Sequence, residues 1–184
     1  MYMDWKIVDS ANLSKDEKIA YDIRDILDNI TFSLAIHRSL AERFGSVYEK
    51  KLNLEGRLFW VNVTDNSLMI SAVNWCKVFG AESNNKTHYK KLKGCETFEH
   101  LTLIKGFNLD SYSKDMRDFR DKYIAHKDNY DKPIPNFDIA LDIMELYYET
   151  VLKELEHGDS PKRLFKDYKE LVDNYLDSIG VFEI

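Results

Sequence analysis

No stretch of this chain alternates apolar and polar residues over a useful length, whereas one segment after another repeats its apolar residues at helical spacing. That pattern points to an all-α fold, a bundle of five to seven helices around a common core. Ser14 with Glu17 three residues later forms a capping box. Ile19, Ile23, Ile26, Ile30, Leu34 and Leu40 then mark one face of a long helix, and Gly45 reads as its stop. Ser46 and Glu49 suggest a second capping box, opening a short helix that ends before Gly56. Leu58–Val61 is a continuous apolar run. Thr64 and Asp65 either cap a new helix or lie inside a longer one. Leu68, Ala72, Trp75, Cys76 and Phe79 describe a buried central helix that Gly80 ends.

The second half punctuates itself more sharply. The polar, turn-rich residues 81–86 read as a loop. Thr97 to Lys105 reads as a short helix stopped by Gly106, and Asn108 to Ser113 as a loop. Ser113 then caps the next helix, with Asp115 in its first turn. Pro133 and Pro135 exclude helix nearby. Asn136 caps a helix with Ile139, Ile143, Leu146, Tyr147, Thr150 and Val151 inward. Ser160-Pro161 opens a last amphipathic helix (Leu164, Tyr168, Leu171, Val172, Tyr175, Ile179), ended by Gly180. Residues 1–13 read as an arm anchored by Trp5, Ile7 and Val8. Residues 1–184 are expected to form a single domain, large enough for a core without staples.

Cys76 and Cys95, the only cysteines, form no metal-ligand spacing and suit a reducing cytoplasm. No signal sequence and no membrane-spanning run is visible, so the expected location is cytoplasmic with no membrane partner. There is no phosphate-binding glycine loop, no HExxH and no nucleophile elbow, and neither metal nor cofactor is expected. The net charge of −6 argues against a nucleic-acid partner at first. The charge is uneven, however. Lys86 to Lys132 holds eleven Lys or Arg against eight Asp or Glu, a local excess of +3 that could make a basic surface or only a mixed solvated face.

Within that basic region lies Met116-Arg-Asp-Phe-Arg-Asp-Lys-Tyr-Ile-Ala-His126. On an ideal α-helix Met116, Phe119 and Tyr123 fall within about 60° of one another. Arg120 and His126 flank this apolar stripe, about 120° apart. A histidine beside an apolar stripe is often a hydrogen-bonded core residue, and an Arg–His spacing alone is a weak motif. His37 and His157 read as structural or surface residues. Arg117 rivals Arg120, being one turn earlier, but points away from the stripe; a pair with Asp121 four residues on would support the helix.

Phe119-Arg-Asp-Lys-Tyr-Ile-Ala-His126 resembles the signature of the HEPN superfamily (higher eukaryotes and prokaryotes nucleotide-binding): an arginine, a polar residue, a short spacer and a histidine. The aliphatic-Ala-His ending, with Asp128 two residues on, is similar to HEPN families of abortive-infection and toxin type. So are Trp75–Gly80 and His88-Tyr-Lys-Lys91. The resemblance implies a HEPN-like helical fold and a homodimeric, metal-independent endoribonuclease with a composite site made from two Arg–His motifs. Arg120 and His126 would be catalytic, with Asp121 in support. Lys127, Tyr89, Lys90 and Arg117 are candidates for RNA contact, since an aromatic and basic cluster can stack on a base and meet phosphate.

The chemistry suits those residue types. A 2′-hydroxyl is a poor nucleophile and needs a base, while the departing 5′-oxygen needs a proton. Imidazole serves either role near neutral pH. Arginine stays charged and its planar fork matches phosphate oxygens. Defence proteins of this kind work with an antitoxin or other defence-system partner. A tyrosine used for modification by a nucleotidyltransferase partner occurs two residues after the histidine in some HEPN toxins; here that position is Asp128 and the nearest tyrosine is Tyr130. The alternative is a non-catalytic HEPN-like bundle that binds a nucleotide, RNA or a partner protein.

Overall fold

The computed structural model describes residues 13–47, 54–83, 85–125, 132–155 and 159–179. Among these the chain is all-helical, with no strand. Six α-helices are present: α1 Lys15–Val47, α2 Leu54–Phe79, α3 Cys95–Ile104, α4 Leu109–Asp118, α5 Phe137–Tyr147 and α6 Pro161–Ser178. Two of them change winding rather than stop. α4 continues as a π-helix over Phe119–Ala125, and α5 as a π-helix over Tyr148–Leu152. A single 3₁₀ turn, Tyr89–Lys91, links α2 to α3.

The frame is an α1–α2 hairpin with α6 against α1. Ile23, Leu27, Ile30 and Leu34 of α1 are fully or almost fully buried against Leu68, Ala72, Trp75 and Phe79 of α2. The same core takes in Phe98, Met116, Phe119 and Tyr147, so α3, α4 and α5 close over the second half of α2. Burying side chains of this size is worth about 1.5–3 kcal/mol each. Tyr112 helps hold α4 in place. Its ring meets Trp75 edge-on at 5.2 Å, and its hydroxyl donates to the Asn136 carbonyl at 2.8 Å, beside the start of α5.

The Ser14–Glu17 capping box is present in both directions, at 2.8 and 3.2 Å. Asn136 and Ser160 cap α5 and α6, and Pro161 takes the first position of α6. α2 ends at Phe79, just before Gly80. A Cβ on Gly80 would run into the Cys76 carbonyl oxygen.

Other boundaries differ from the sequence expectation. α1 runs through Gly45 to Val47, and Gly56 lies inside α2. A helical glycine costs only about 1 kcal/mol, and Arg43 pins this end of α1 to α6 through Asp173 and Asp177. Glu49 lies outside the described residues, as do Trp5, Ile7, Val8, His157 and Gly180. Thr64 and Asp65 sit within α2 rather than at its start. α3 starts two residues earlier than expected, after Gly94 at φ 91°. α4 begins at Leu109, so Asn108–Ser113 is not a loop and Ser113 is not a cap. Asn108 caps it instead, accepting from the Ser111 amide at 2.9 Å. Leu109, Ser113 and Met116 share its buried face. Asp110, not Asp115, occupies the first turn.

The last helix is only partly buried. Leu164 and Tyr168 are inward, but Leu171, Tyr175 and Ile179 are exposed. Leu171 and Tyr175 instead line an apolar groove with Phe32, Ile36, Trp60 and Val63.

Candidate functional site

A helix C-terminus, such as the end of α2, leaves carbonyls unpaired and carries partial negative charge. Here three of them have partners. Gly80 N–H donates to Cys76 O at 3.1 Å. Lys77 O accepts from the Asn85 side-chain amide at 2.5 Å and from Thr87 Oγ1 at 3.2 Å. His88 Nε2 reaches Gly80 O at 3.3 Å. A carbonyl can only accept, so Nε2 carries the proton. His88 Nδ1 then accepts from the Lys90 amide, at 3.3 Å. Both nitrogens are used and the ring is 2% exposed. Burial lowers the pKa of His88 below the ordinary imidazole value, which keeps it neutral. His88 is therefore a lock for the loop.

Against this capped end packs the turn from α4 into its π-helical continuation. Met116 and Phe119 are fully buried, and Tyr123 is 38% exposed with its ring stacked on Phe119 at 5.2 Å. The apolar stripe of the motif thus exists, with Tyr123 at its outer edge. The winding is not the α-helix assumed from spacing. Hydrogen bonds run i→i+5 in a π-helix, so each residue turns through a smaller angle than in an α-helix. The Arg117–Asp121 pair expected from α-helical spacing is replaced by Arg120–Asp121. Arg120 Nε donates to Asp121 Oδ1 at 2.7 Å. That bond is the main reason the Arg120 pKa is raised, and partial burial opposes it.

Arg120 also lies over Cys76. The thiol is 4% exposed, and burial pushes its pKa up to about 11, with Arg120 pulling the other way. The guanidinium opens onto a cleft of about 390 Å³ lined by Val73, Cys76, Lys77, Ala81, Ser83, Asn85 and Arg120. Among the described residues no carboxylate lines this cleft, and Asp121, next to Arg120 in the chain, is paired with the Arg120 guanidinium. A second cleft of about 280 Å³ lies on the other side of Ala81 and contains Arg117, His88, Tyr89 and Lys90, but also Glu82 and Asp110.

The candidate residues therefore separate. Arg120 and Asp121 are together, and Arg117 faces the neighbouring cleft with Lys90. Tyr89 is 4% exposed and packed among Phe79, Phe98 and His88, which leaves no ring face for a base to stack on. Its hydroxyl donates to Glu99 Oε1 at 2.5 Å, and Lys90 Nζ pairs with the same oxygen at 3.0 Å. The aromatic-basic cluster at 88–91 is thus a structural turn with two exposed, ion-paired lysines rather than a stacking platform. His126 and Lys127 lie outside the described residues. His37, half-buried, donates from Nδ1 to the Thr64 carbonyl at 3.1 Å and ties α1 to α2. Lys77, Ser83 and Asn85 escaped sequence reasoning because only the fold brings them to Arg120.

Comparison with family models, with curated proteins and with solved structures finds no significant match.

Proposed function

We propose that this protein is a dimeric, metal-independent endoribonuclease of toxin or phage-defence type, with Arg120 and His126 as its catalytic pair. The observation that carries the reading is the setting of Arg120. A guanidinium held by Asp121 opens onto a cleft whose lining, among the described residues, contains no carboxylate. A fixed, charged, planar donor in such a place is what a phosphate approaching its transition state requires. The resemblance of 119–126 to the HEPN signature supplies the second half of the pair.

In the proposed reaction the 2′-oxygen attacks the adjacent phosphorus while the P–O5′ bond breaks. One His126 takes the proton from the 2′-hydroxyl. The His126 of a second copy gives a proton to the departing 5′-oxygen. The products are a 2′,3′-cyclic phosphate and a free 5′-hydroxyl. Arg120 stabilises the charge that builds on the non-bridging oxygens, and Asp121 orients the fork. The protein partners this reading calls for are a second copy of the chain and an antitoxin or other defence-system protein.

The test is cleavage of labelled RNA in the presence of chelator by the native protein, His126→Ala and Arg120→Lys. The native protein is expected to leave cyclic phosphate ends. His126→Ala should be inactive, and Arg120→Lys should fall about 10²–10³-fold, the range for loss of one oxyanion donor. Chelator-resistant cleavage that survives both substitutions would remove this site from the reaction. Absence of cleavage by a dimeric native protein would leave the non-catalytic binding bundle.

A further inference from the structure

The cleft beside Arg120 contains a second cation, Lys77. It occupies the last turn of α2, next to the cysteine that Arg120 covers. Its ammonium donates to Asn74 Oδ1 at 2.7 Å, and among the described residues it has no carboxylate partner within ion-pairing distance. Position alone gives Lys77 a structural use, since a cation suits a helix C-terminus. Two further observations point past that use.

First, the negative end of α2 is already neutralised by other groups. Asn85 and Thr87 both donate to the Lys77 carbonyl, and His88 donates to Gly80. The lysine's charge is thus not needed to satisfy those carbonyls. Second, among the described residues Arg120 and Lys77 are the only charged side chains lining the cleft, and Ser83 and Asn85 add polar groups beside them. The neighbouring cleft has Arg117 and Lys90 but balances them with Glu82 and Asp110. Counting Asp121 against Arg120, Lys77 still leaves this hollow with an excess positive charge among the described residues, which favours a polyanion there over the neighbouring cleft.

We infer that the hollow between the end of α2 and the π-helical segment is a groove for a single-stranded phosphodiester backbone, in which Lys77 contacts one phosphate and Arg120 another. This inference rests on the ribonuclease reading for the identity of the strand, and on the cleft itself for the contact. Lys77 is a positioning residue: it holds the strand and takes no part in bond making.

The experiment is fluorescence anisotropy with a labelled single-stranded oligonucleotide lacking 2′-hydroxyls, which cannot be cut by the proposed reaction. It is titrated with the full chain over a series of salt concentrations. Lys77→Gln should weaken binding about three- to tenfold at low salt and reduce the slope of log affinity against log salt by about one phosphate contact. Lys166→Gln, on the exposed face of α6, should change neither. Lys77 is exposed, so thermal unfolding of Lys77→Gln should match that of the native protein. A changed slope is a readout that a purely structural lysine would not move. Native affinity and slope in Lys77→Gln would overturn the groove. So would displacement of the oligonucleotide by inorganic phosphate at equal phosphate concentration and constant ionic strength, because the site would then prefer the free anion. The two readings fail separately. Lys77-dependent binding without RNA cleavage sinks the ribonuclease and keeps the groove. Cleavage with no effect of Lys77→Gln on binding or slope does the reverse.

Discussion

On one side of the Gly80–Ala81 turn, Arg120 and Lys77 face a hollow that no acid among the described residues lines; on the other, Arg117 and Lys90 share theirs with Glu82 and Asp110. Both arginines come from one helix, three residues apart, and both clefts are walled by the same loop. The contrast teaches that a local excess of basic residues does not itself make an anion site. The position of the carboxylates decides the field. Lys90 is drawn to Glu99 and Lys91 to Glu82, at 3.0 and 3.6 Å, so much of the positive charge at 86–91 is spent on neighbours. Exposed pairs of this kind contribute little stability, about 0–1 kcal/mol, but they lower the net charge a cleft presents; Arg120 is likewise paired, with Asp121, whereas Lys77 has no carboxylate partner among the described residues.

The sharpest way to break this contrast is to exchange the arginines. Arg117→Lys is expected to retain RNA cleavage within about threefold, against the 10²-fold or greater loss in Arg120→Lys. Equal losses in a cleavage time course would mean that the two clefts act as one site. A smaller effect is expected from the lock they share. His88→Ala leaves the Gly80 carbonyl and the Lys90 amide without their partner and opens a cavity. It should lower unfolding free energy by about 2–4 kcal/mol in urea titration. A loss below about 0.5 kcal/mol would show that the loop does not depend on the imidazole.

The smallest effect is a pH dependence. Burial lowers the pKa of both His88 and His37, so the unfolded chain binds more protons than the native one below the ordinary imidazole pKa. Their contribution is fully present above about pH 6.5 and declines as pH falls below it. Stability should therefore drop on acidification from pH 7.5 to 5.5, by no more than about 1.4 kcal/mol per pH unit for each histidine. Substituting His88 should flatten the curve, and an unchanged profile would place that histidine in contact with water.

Features written in a few neighbouring residues were legible in the sequence. Ser14 and Glu17 make their box within one turn, Gly80 ends α2, and Ser160-Pro161 opens α6. The all-helical class followed from periodicity repeated in many segments. Boundaries set by competing local signals were less legible. Gly45 and Ser46 look like a stop and a start, yet the helix continues past both. Asn108 and Ser113 are both capping residue types, and burial of Leu109 and Met116 on one face selects the first. The candidate site was legible only where it lies on one segment: Arg120 and Asp121 are neighbours in sequence and are paired in the structure. Lys77, Ser83 and Asn85 lie 35 residues or more away from Arg120 in the chain and carry no pattern of their own. Tyr89 was misread because an aromatic followed by lysines looks the same on a surface as beneath one.

The wide winding of Phe119–Ala125 has a consequence for protein engineering. A π-turn accommodates one more residue than the α-turn it replaces. Removing a single residue from Lys122–Ile124 would leave Arg120 on its side of Ala81 while letting the remainder relax to tighter coiling. Such a shortened chain would rotate the guanidinium relative to Ala125, altering no charged group if Ile124 is the residue removed, at the loss of that side chain's packing against the core.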